Sequence, residues 1–225
     1  MAKQPISHKQ RLAIGFVFLT LAYGNEQFLD DFADASDDVL TKFVEKPDII
    51  DSWLKSRIWI IKPERDIFVK YYDVYVNPKY FDQVTGDAKF PGKLGFTKLS
   101  DVKRFTRGES QTIEFDRYGP ETGGYLGRPK DDWTKRSLPP YQENAEYHVY
   151  RTTEEFPTYI EIIDDEIDAW FGQTGSGHQF LILREEYTGK SLEEISNAVD
   201  AGAEIEDFFY TIKDMSKKDW IIEIK

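Results

Sequence analysis

The chain has 225 residues, 40% of them hydrophobic and 31% charged, enough apolar material for one sizeable core or two small lobes and too much for a disordered chain. Its 29 Lys and Arg stand against 41 Asp and Glu, and a net charge of −12 has the wrong sign for coating nucleic acid. The absence of cysteine removes disulfide scaffolds, thiolate nucleophiles, iron–sulfur clusters and Cys-based zinc sites together, and His8, His148 and His178 are scattered without metal-ligand spacing.

The first element in chain order is the apolar run Leu12 to Tyr23, preceded by Lys3, Lys9 and Arg11. Twelve residues fall short of the roughly 20 that span a bilayer, so no stable membrane span is expected. The run suits a signal segment with small residues Ala22 and Gly24 at its end. It equally suits a buried helix, because Leu21, Phe28, Leu29 and Phe32 continue an apolar face. Residues 25–62 read as helical, with Ser36, Asp37 and Asp38 as an acidic start, Val39, Phe43, Ile50, Trp53 and Leu54 at helical spacing, and a break at Pro47.

Beyond Lys62 the pattern changes to short runs rich in Tyr, Phe, Val and Ile, and Ile67 to Val76 reads as a strand. Strands are expected to dominate as far as Arg184. Ser191 and Glu194 make a capping-box pattern for one C-terminal helix, followed by a closing strand at Trp220 to Ile224. Strands flanked by helices without regular alternation predict an α+β fold. The expected organisation is an N-terminal helical region at 1–70, with a signal or anchor candidate at 1–24, and a second domain at 71–225.

Two stretches concentrate glycine, arginine and aromatics. DRYGPETGGYLG, Asp116 to Gly127, places Tyr118 beside Arg117, whose planar fork suits a phosphate or carboxylate. WFGQTGSGHQF, Trp170 to Phe180, leads through three glycines into an apolar strand. A tight turn and a flexible hairpin are the plain alternatives. Neither stretch has the glycine spacing of a dinucleotide fold or a phosphate loop. The acidic run Asp164 to Asp168 lacks calcium-loop spacing and reads as a solvated charged turn. Glu109, Glu114 and Asp116 are candidates for a carboxylate pair, whose separation in space the spacing leaves open.

KRSLPP, Lys135 to Pro140, and YHVYR, Tyr147 to Arg151, lie between the two glycine-rich stretches. These four segments, in this order, resemble the tuberculosis necrotizing toxin family, over roughly Tyr80 to Leu183. The resemblance implies a compact antiparallel β-core similar to ADP-ribosyltransferases. It implies hydrolysis of NAD⁺, and often NADP⁺, to nicotinamide and an ADP-ribose product without a cofactor. It also implies a secreted or delivered toxin, with a cognate immunity protein expected because loss of NAD⁺ would harm the producer.

Under the resemblance, Gln179, Arg117 and His148 are the catalytic candidates. Gln179 would hold a ribose hydroxyl or water, Arg117 would grip the pyrophosphate, and His148 would orient the ligand without acting as general base. Arg136 is a second pyrophosphate grip, with pairing to Asp131 or Asp132 as its alternative. Tyr118 would also bind substrate, and Tyr125, or else Phe171, would stack on a ligand ring. Pro120 and Glu121 in the first loop, and His178 before the glutamine, depart from the family pattern. An ADP-ribosyltransferase acting on a macromolecule and a non-catalytic interaction protein are the rival functions.

Overall fold

The computed structural model describes residues 53–57, 61–108 and 111–225. The apolar run at 12–23 and nearly all of the expected 25–62 helical stretch lie outside them. Contacts divide the chain into two compact units, 1–89 and 90–225, where the sequence reading sets a boundary at 70/71.

In the first unit, Ile67 to Val76 is helical instead of extended: α1 spans Arg65–Lys70 and α2 spans Tyr72–Tyr75. The overriding signal is the spacing of Phe68, Tyr72 and Tyr75, which recur every three or four residues and are all buried. A strand would have sent Phe68 and Val69 to opposite faces, yet both are covered here. Phe68 and Tyr75 stack at 5.0 Å between ring centroids, and Tyr75 packs on Phe81 at 4.6 Å.

The second unit is an antiparallel sheet, with strands β1 (Lys103–Thr106), β2 (Glu114–Tyr118), β3 (Leu126–Gly127), β4 (Tyr147–Thr152), β5 (Glu161–Glu166), β6 (His178–Ile182) and β7 (Ile221–Glu223). Their order is β1-β5-β6-β3-β2-β4-β7. Every paired neighbour is antiparallel, so the expected α+β class with an antiparallel core holds.

Successive residues of β5 and β6 feed opposite cores. Ile162, Phe180 and Ile182 join Phe115 and Leu126 on one face, while Ile163 and Leu181 join Leu94 and Phe96 on the other. A run such as FLIL, apolar at both parities, is what a sheet covered on both sides requires. Each fully buried Leu, Ile or Phe contributes about 1.5–3 kcal/mol of transfer free energy.

Two C-terminal helices do the covering, where one was expected. α3 (Leu192–Asp200) adds Leu192 and Ile195 to one core, and α4 (Ile212–Lys217) adds Ile212 and Met215 to the other. Ser191 occupies the N-cap of α3 but its hydroxyl makes no cap bond. The reciprocal capping box forms at Thr211 and Asp214, ahead of α4.

Candidate functional site

The site is built around the shortest strand. β3 holds only Leu126 and Gly127, and Gly127 stands in register with Asp116 of β2 on one side and Gln179 of β6 on the other. These three positions therefore share one sheet face. A Cβ on Gly127 would strike the Arg136 guanidinium and the Asp116 carboxylate, so glycine here leaves room for that pair.

Beside them opens a cavity of about 260 Å³ lined by Arg117, Tyr118, Tyr125, Arg136, Gln179 and Glu206, among others. Five of the seven candidate residues thus face one space.

Gln179 is 7% exposed and its amide Nε2 donates to the Leu94 carbonyl at 2.8 Å. That carbonyl is presented by a turn in which Lys93, Leu94 and Gly95 all take positive φ. With the amide nitrogen held in this way, Oε1 remains as the acceptor that the residue can offer to a ligand.

Arg117 donates through Nε to the Pro120 carbonyl at 2.6 Å and through Nη1 to the Tyr125 carbonyl at 2.6 Å. Among the described residues Nη2 has no protein acceptor. A side chain at position 123 would overlap the guanidinium, which accounts for the first glycine of the Gly123–Gly124 pair. Burial lowers the pKa of Arg117, partly offset by Tyr150 and Glu206, but a guanidinium stays charged in any case. The loop departures Pro120 and Glu121 serve this arrangement: Pro120 accepts from Arg117, and the Glu121 carbonyl accepts from Lys213 N at 3.0 Å.

Arg136 is placed differently from the expected phosphate grip. Its Nη1 and Nη2 bind Asp116 Oδ1 and Oδ2 at 2.5 and 2.6 Å, and Nε and Nη2 also donate to the Asp131 carbonyl at 3.1 and 3.0 Å. All three nitrogens are therefore committed within the protein. The carboxylate partner is Asp116, in place of Asp131 or Asp132. Tyr147 Oη adds a 2.9 Å hydrogen bond to Asp116 Oδ2, and burial together with that bond pushes the Tyr147 phenol up to about 12. The same pairing removes Asp116 from any carboxylate dyad, and Glu114 is taken by Arg151 at 2.8 Å.

Tyr118 packs edge-on to Trp133 at 5.2 Å and lies 5.4 Å from the Arg136 guanidinium. Tyr125 is partly buried, and burial, then Glu206 and Asp200, raise its pKa. Phe171 and His148 are not brought to the cavity wall. Phe171 is 1% exposed and meets Phe90, itself on the wall, edge-on at 5.7 Å, so it supports the lining from behind. His148 is the register partner of Arg117 on β4, but its Nδ1 lies 2.6 Å from Glu223 Oε1 of the edge strand β7.

The second glycine-rich stretch is fastened to KRSLPP. Thr174 N donates to the Thr134 carbonyl and Gly177 N to the Lys135 carbonyl, each at 3.0 Å, and Gln173 Nε2 donates to the Leu138 carbonyl at 2.9 Å. A Cβ on Gly177 would lie 2.6 Å from the Lys135 carbonyl oxygen, and one on Gly175 would lie 2.7 Å from that of Ile167. The stretch is the loop of the β5–β6 hairpin, and these glycines permit the close backbone approaches that fasten it to its neighbours.

The acidic run Asp164 to Asp168 begins in strand β5 and is not a solvated turn. Asp164 is 9% exposed, 2.7 Å from His178 Nδ1 and 3.5 Å from Arg128 Nη2. Among the described residues no group of three His, Asp or Glu is placed to hold a metal, and no helix is long and apolar enough to cross a membrane.

Glu206 and Phe90 are wall residues that the sequence reading missed. Glu206 sits in a 3₁₀ turn, Ile205–Asp207, inside the run AEIEDFFY, where one carboxylate among several has no spacing that marks it. An exposed Phe90 would have been found only through its contact with Phe171.

The structure of tuberculosis necrotizing toxin complexed with its immunity factor IFT superposes with a TM-score of 0.44 and 18% identity, covering 60% of this chain and 61% of that one. The conidial surface nicotinamide adenine dinucleotide glycohydrolase of Aspergillus fumigatus is 36% identical over 76 residues, 31% of this chain and 31% of that protein. The chain therefore spans under a third of that relative's length. Residues 110–203, the stretch that supplies Arg117, Tyr118, Tyr125, Arg136 and Gln179, match the family described as Tuberculosis necrotizing toxin.

Proposed function

We propose that this chain is an NAD⁺ glycohydrolase that releases nicotinamide and ADP-ribose. The observation that carries the reading is that Arg117, Tyr125 and Gln179, all from the segment that matches the family, line one cavity.

NAD⁺ carries its nicotinamide as a pyridinium. When the C1′–N bond breaks, the bonding pair returns to the ring nitrogen and neutral nicotinamide departs, so no proton donor is required. Water adds to C1′ and loses its proton to solvent, which leaves ADP-ribose. The transition state is oxocarbenium-like, and catalysis rests on orienting the ribose and admitting one water.

Three residues of the cavity wall have a part in this scheme. Gln179 Oε1, held by the Leu94 anchor, accepts from a ribose hydroxyl or the incoming water. Nη2 of Arg117 takes a phosphate oxygen as a charge-assisted bond. Tyr125 offers an aromatic face to the ring. A space of about 260 Å³ lies just under the roughly 300–1,000 Å³ of ordinary ligand pockets, so it suits the nicotinamide-ribose half, with the rest of the dinucleotide crossing the mouth. The scheme routes no step through a metal or cofactor.

Incubation of the purified chain with NAD⁺ or NADP⁺, followed by product chromatography, tests the proposal. Nicotinamide is expected with free ADP-ribose from NAD⁺ or ADP-ribose 2′-phosphate from NADP⁺, and Gln179→Ala should lower kcat by about 100-fold, the scale set by removal of one preorganised polar group. Intact NAD⁺, or full turnover by Gln179→Ala, overturns the assignment. ADP-ribose found on an acceptor protein would establish the transferase reading, for which the expected kinship with ADP-ribosyltransferase folds is the rationale.

Export or delivery, with an immunity protein that plugs the cavity, belongs to the same reading. Its support is the cationic-then-apolar pattern of residues 3–23, the surface location in the relative's name, and the harm that NAD⁺ loss would do inside the producer. Cell fractionation, and inhibition assays with products of neighbouring reading frames, test both parts.

A further inference from the structure

We infer that Glu206 selects the cationic, oxidised nicotinamide ring: its carboxylate and the Tyr125 ring form a cation-recognising corner of the cavity in which Arg117 takes the phosphate. The inference rests on the glycohydrolase reading and deepens it by assigning a specificity residue from outside the matched segment, which ends at 203.

The backbone that carries Glu206 is fixed. Its carbonyl accepts from Arg184 Nε at 2.8 Å, and Arg184 Nη2 in turn reaches Asp214 of the α4 capping box at 2.8 Å. Phe208 N and Phe209 N both donate to the Ile205 carbonyl at 3.1 Å, and Phe209 bridges to Leu183 at the end of β6. The Glu206 side chain, by contrast, is uncommitted: among the described residues its carboxylate makes no hydrogen bond and no ion pair within 4 Å, although it is half-buried on the wall that Arg117 also lines. Its negative charge adds to the burial that raises the pKa of Tyr125 and offsets part of the lowering that burial imposes on Arg117.

A fixed turn that brings a free carboxylate to the same cavity wall as an aromatic ring is suited to a delocalised cation. One guanidinium for phosphate and one carboxylate for pyridinium match the charge pattern of NAD⁺. NADH lacks the ring charge, and ADP-ribose lacks the ring altogether. Glu206 would therefore attract the substrate and repel the anionic product left after the cation has gone.

The test compares the parent with Glu206→Gln and Glu206→Asp, using steady-state kinetics on NAD⁺ and calorimetric Kd values for NADH and ADP-ribose. Glu206→Gln is expected to raise KM for NAD⁺ about fivefold, equivalent to about 1 kcal/mol, with kcat within twofold. Its Kd for NADH and ADP-ribose should fall or stay level. Glu206→Asp keeps the charge and should keep the preference. Thermal midpoints matched to the parent verify folding of both variants.

If the parent cleaves NAD⁺ and Glu206→Gln leaves the NAD⁺-to-NADH ratio within twofold of the parent's, or if Glu206→Asp loses the preference, the Glu206 assignment is overturned alone. If the parent leaves NAD⁺ intact, the glycohydrolase reading fails, and this inference with it.

Discussion

Asp116 holds both terminal nitrogens of Arg136, with Oδ1 2.5 Å from Nη1 and Oδ2 2.6 Å from Nη2, and both side chains are buried. Arg136 lies on the cavity wall with Asp116 behind it, and the paired ions brace β2 against the KRSLPP segment. Removing one partner strands the other charge in the interior, which costs about 3–5 kcal/mol. Arg136→Met should lower the unfolding free energy by that amount in a urea titration, and Asp116→Leu combined with Arg136→Met should recover much of it. A phosphate-gripping Arg136 would show the opposite pattern, with weaker NAD⁺ binding and unchanged stability.

This pair also marks how far the sequence could be read. Five residues of the cavity wall were legible because they sit in three of the four short motifs that carry the family resemblance, and Gly123 beside Arg117 marks a close approach that a Cβ would block. The division of labour between the two arginines was not legible. Which guanidinium meets a carboxylate depends on Asp116 lying behind Gly127 in the sheet, a cross-strand relation that sequence distance does not express. Ile67 to Val76 misled for a related reason: a dense apolar run fits either period, and the burial of Phe68, Tyr72 and Tyr75 together decides for the helix. Ser191 and Thr211 both carry a cap residue with an acidic residue three positions on, yet only Thr211 closes the box.

Gly95 has a φ of +84°, and a Cβ there would lie 3.2 Å from Gln179 Oε1. Gly95→Ala therefore strains the turn and presses on the acceptor held ready for ligand. Stability should fall by about 1–2 kcal/mol. The kcat/KM for NAD⁺ should fall by at least about tenfold, because small displacements of a positioning group are costly to rate. Gly202→Ala is the control: its φ is +105°, with nothing within 4 Å of the added carbon. It should lose stability and keep activity. Equal activity losses in the two variants would remove the special role of the Gly95–Gln179 contact.

The Thr211 hydroxyl accepts from Asp214 N at 3.0 Å, and the Asp214 carboxylate accepts from Thr211 N at 3.3 Å. Thr211→Ala opens the box and should cost about 1 kcal/mol. Because Asp214 also holds Arg184, which braces the Glu206 carbonyl, Asp214→Asn should cost stability and in addition raise KM for NAD⁺. Thr211→Ala should leave KM within twofold. Urea midpoints and steady-state kinetics on the two variants separate helix capping from the brace on the Glu206 turn.

Alkaline pH probes the same region. Burial and the hydrogen bond to Asp116 push Tyr147 up to about 12, and burial with the nearby Glu223 pushes Tyr150 up to about 12 as well. An unfolded tyrosine ionises near 10, so between these values the folded chain binds more protons than the unfolded one. Stability is therefore full below about pH 10 and falls as pH rises toward about 12. Urea midpoints at pH 8, 10 and 11 should show that decline, accompanied by delayed tyrosinate absorbance in the native protein. Tyr147→Phe should cost about 1–3 kcal/mol at pH 8, through loss of the bond to a charged acceptor, and should make the alkaline decline shallower. A variant whose decline matches the parent's would show that Tyr147 ionises in the folded chain as readily as in the unfolded one, and would remove the role given to its 2.9 Å bond to Asp116.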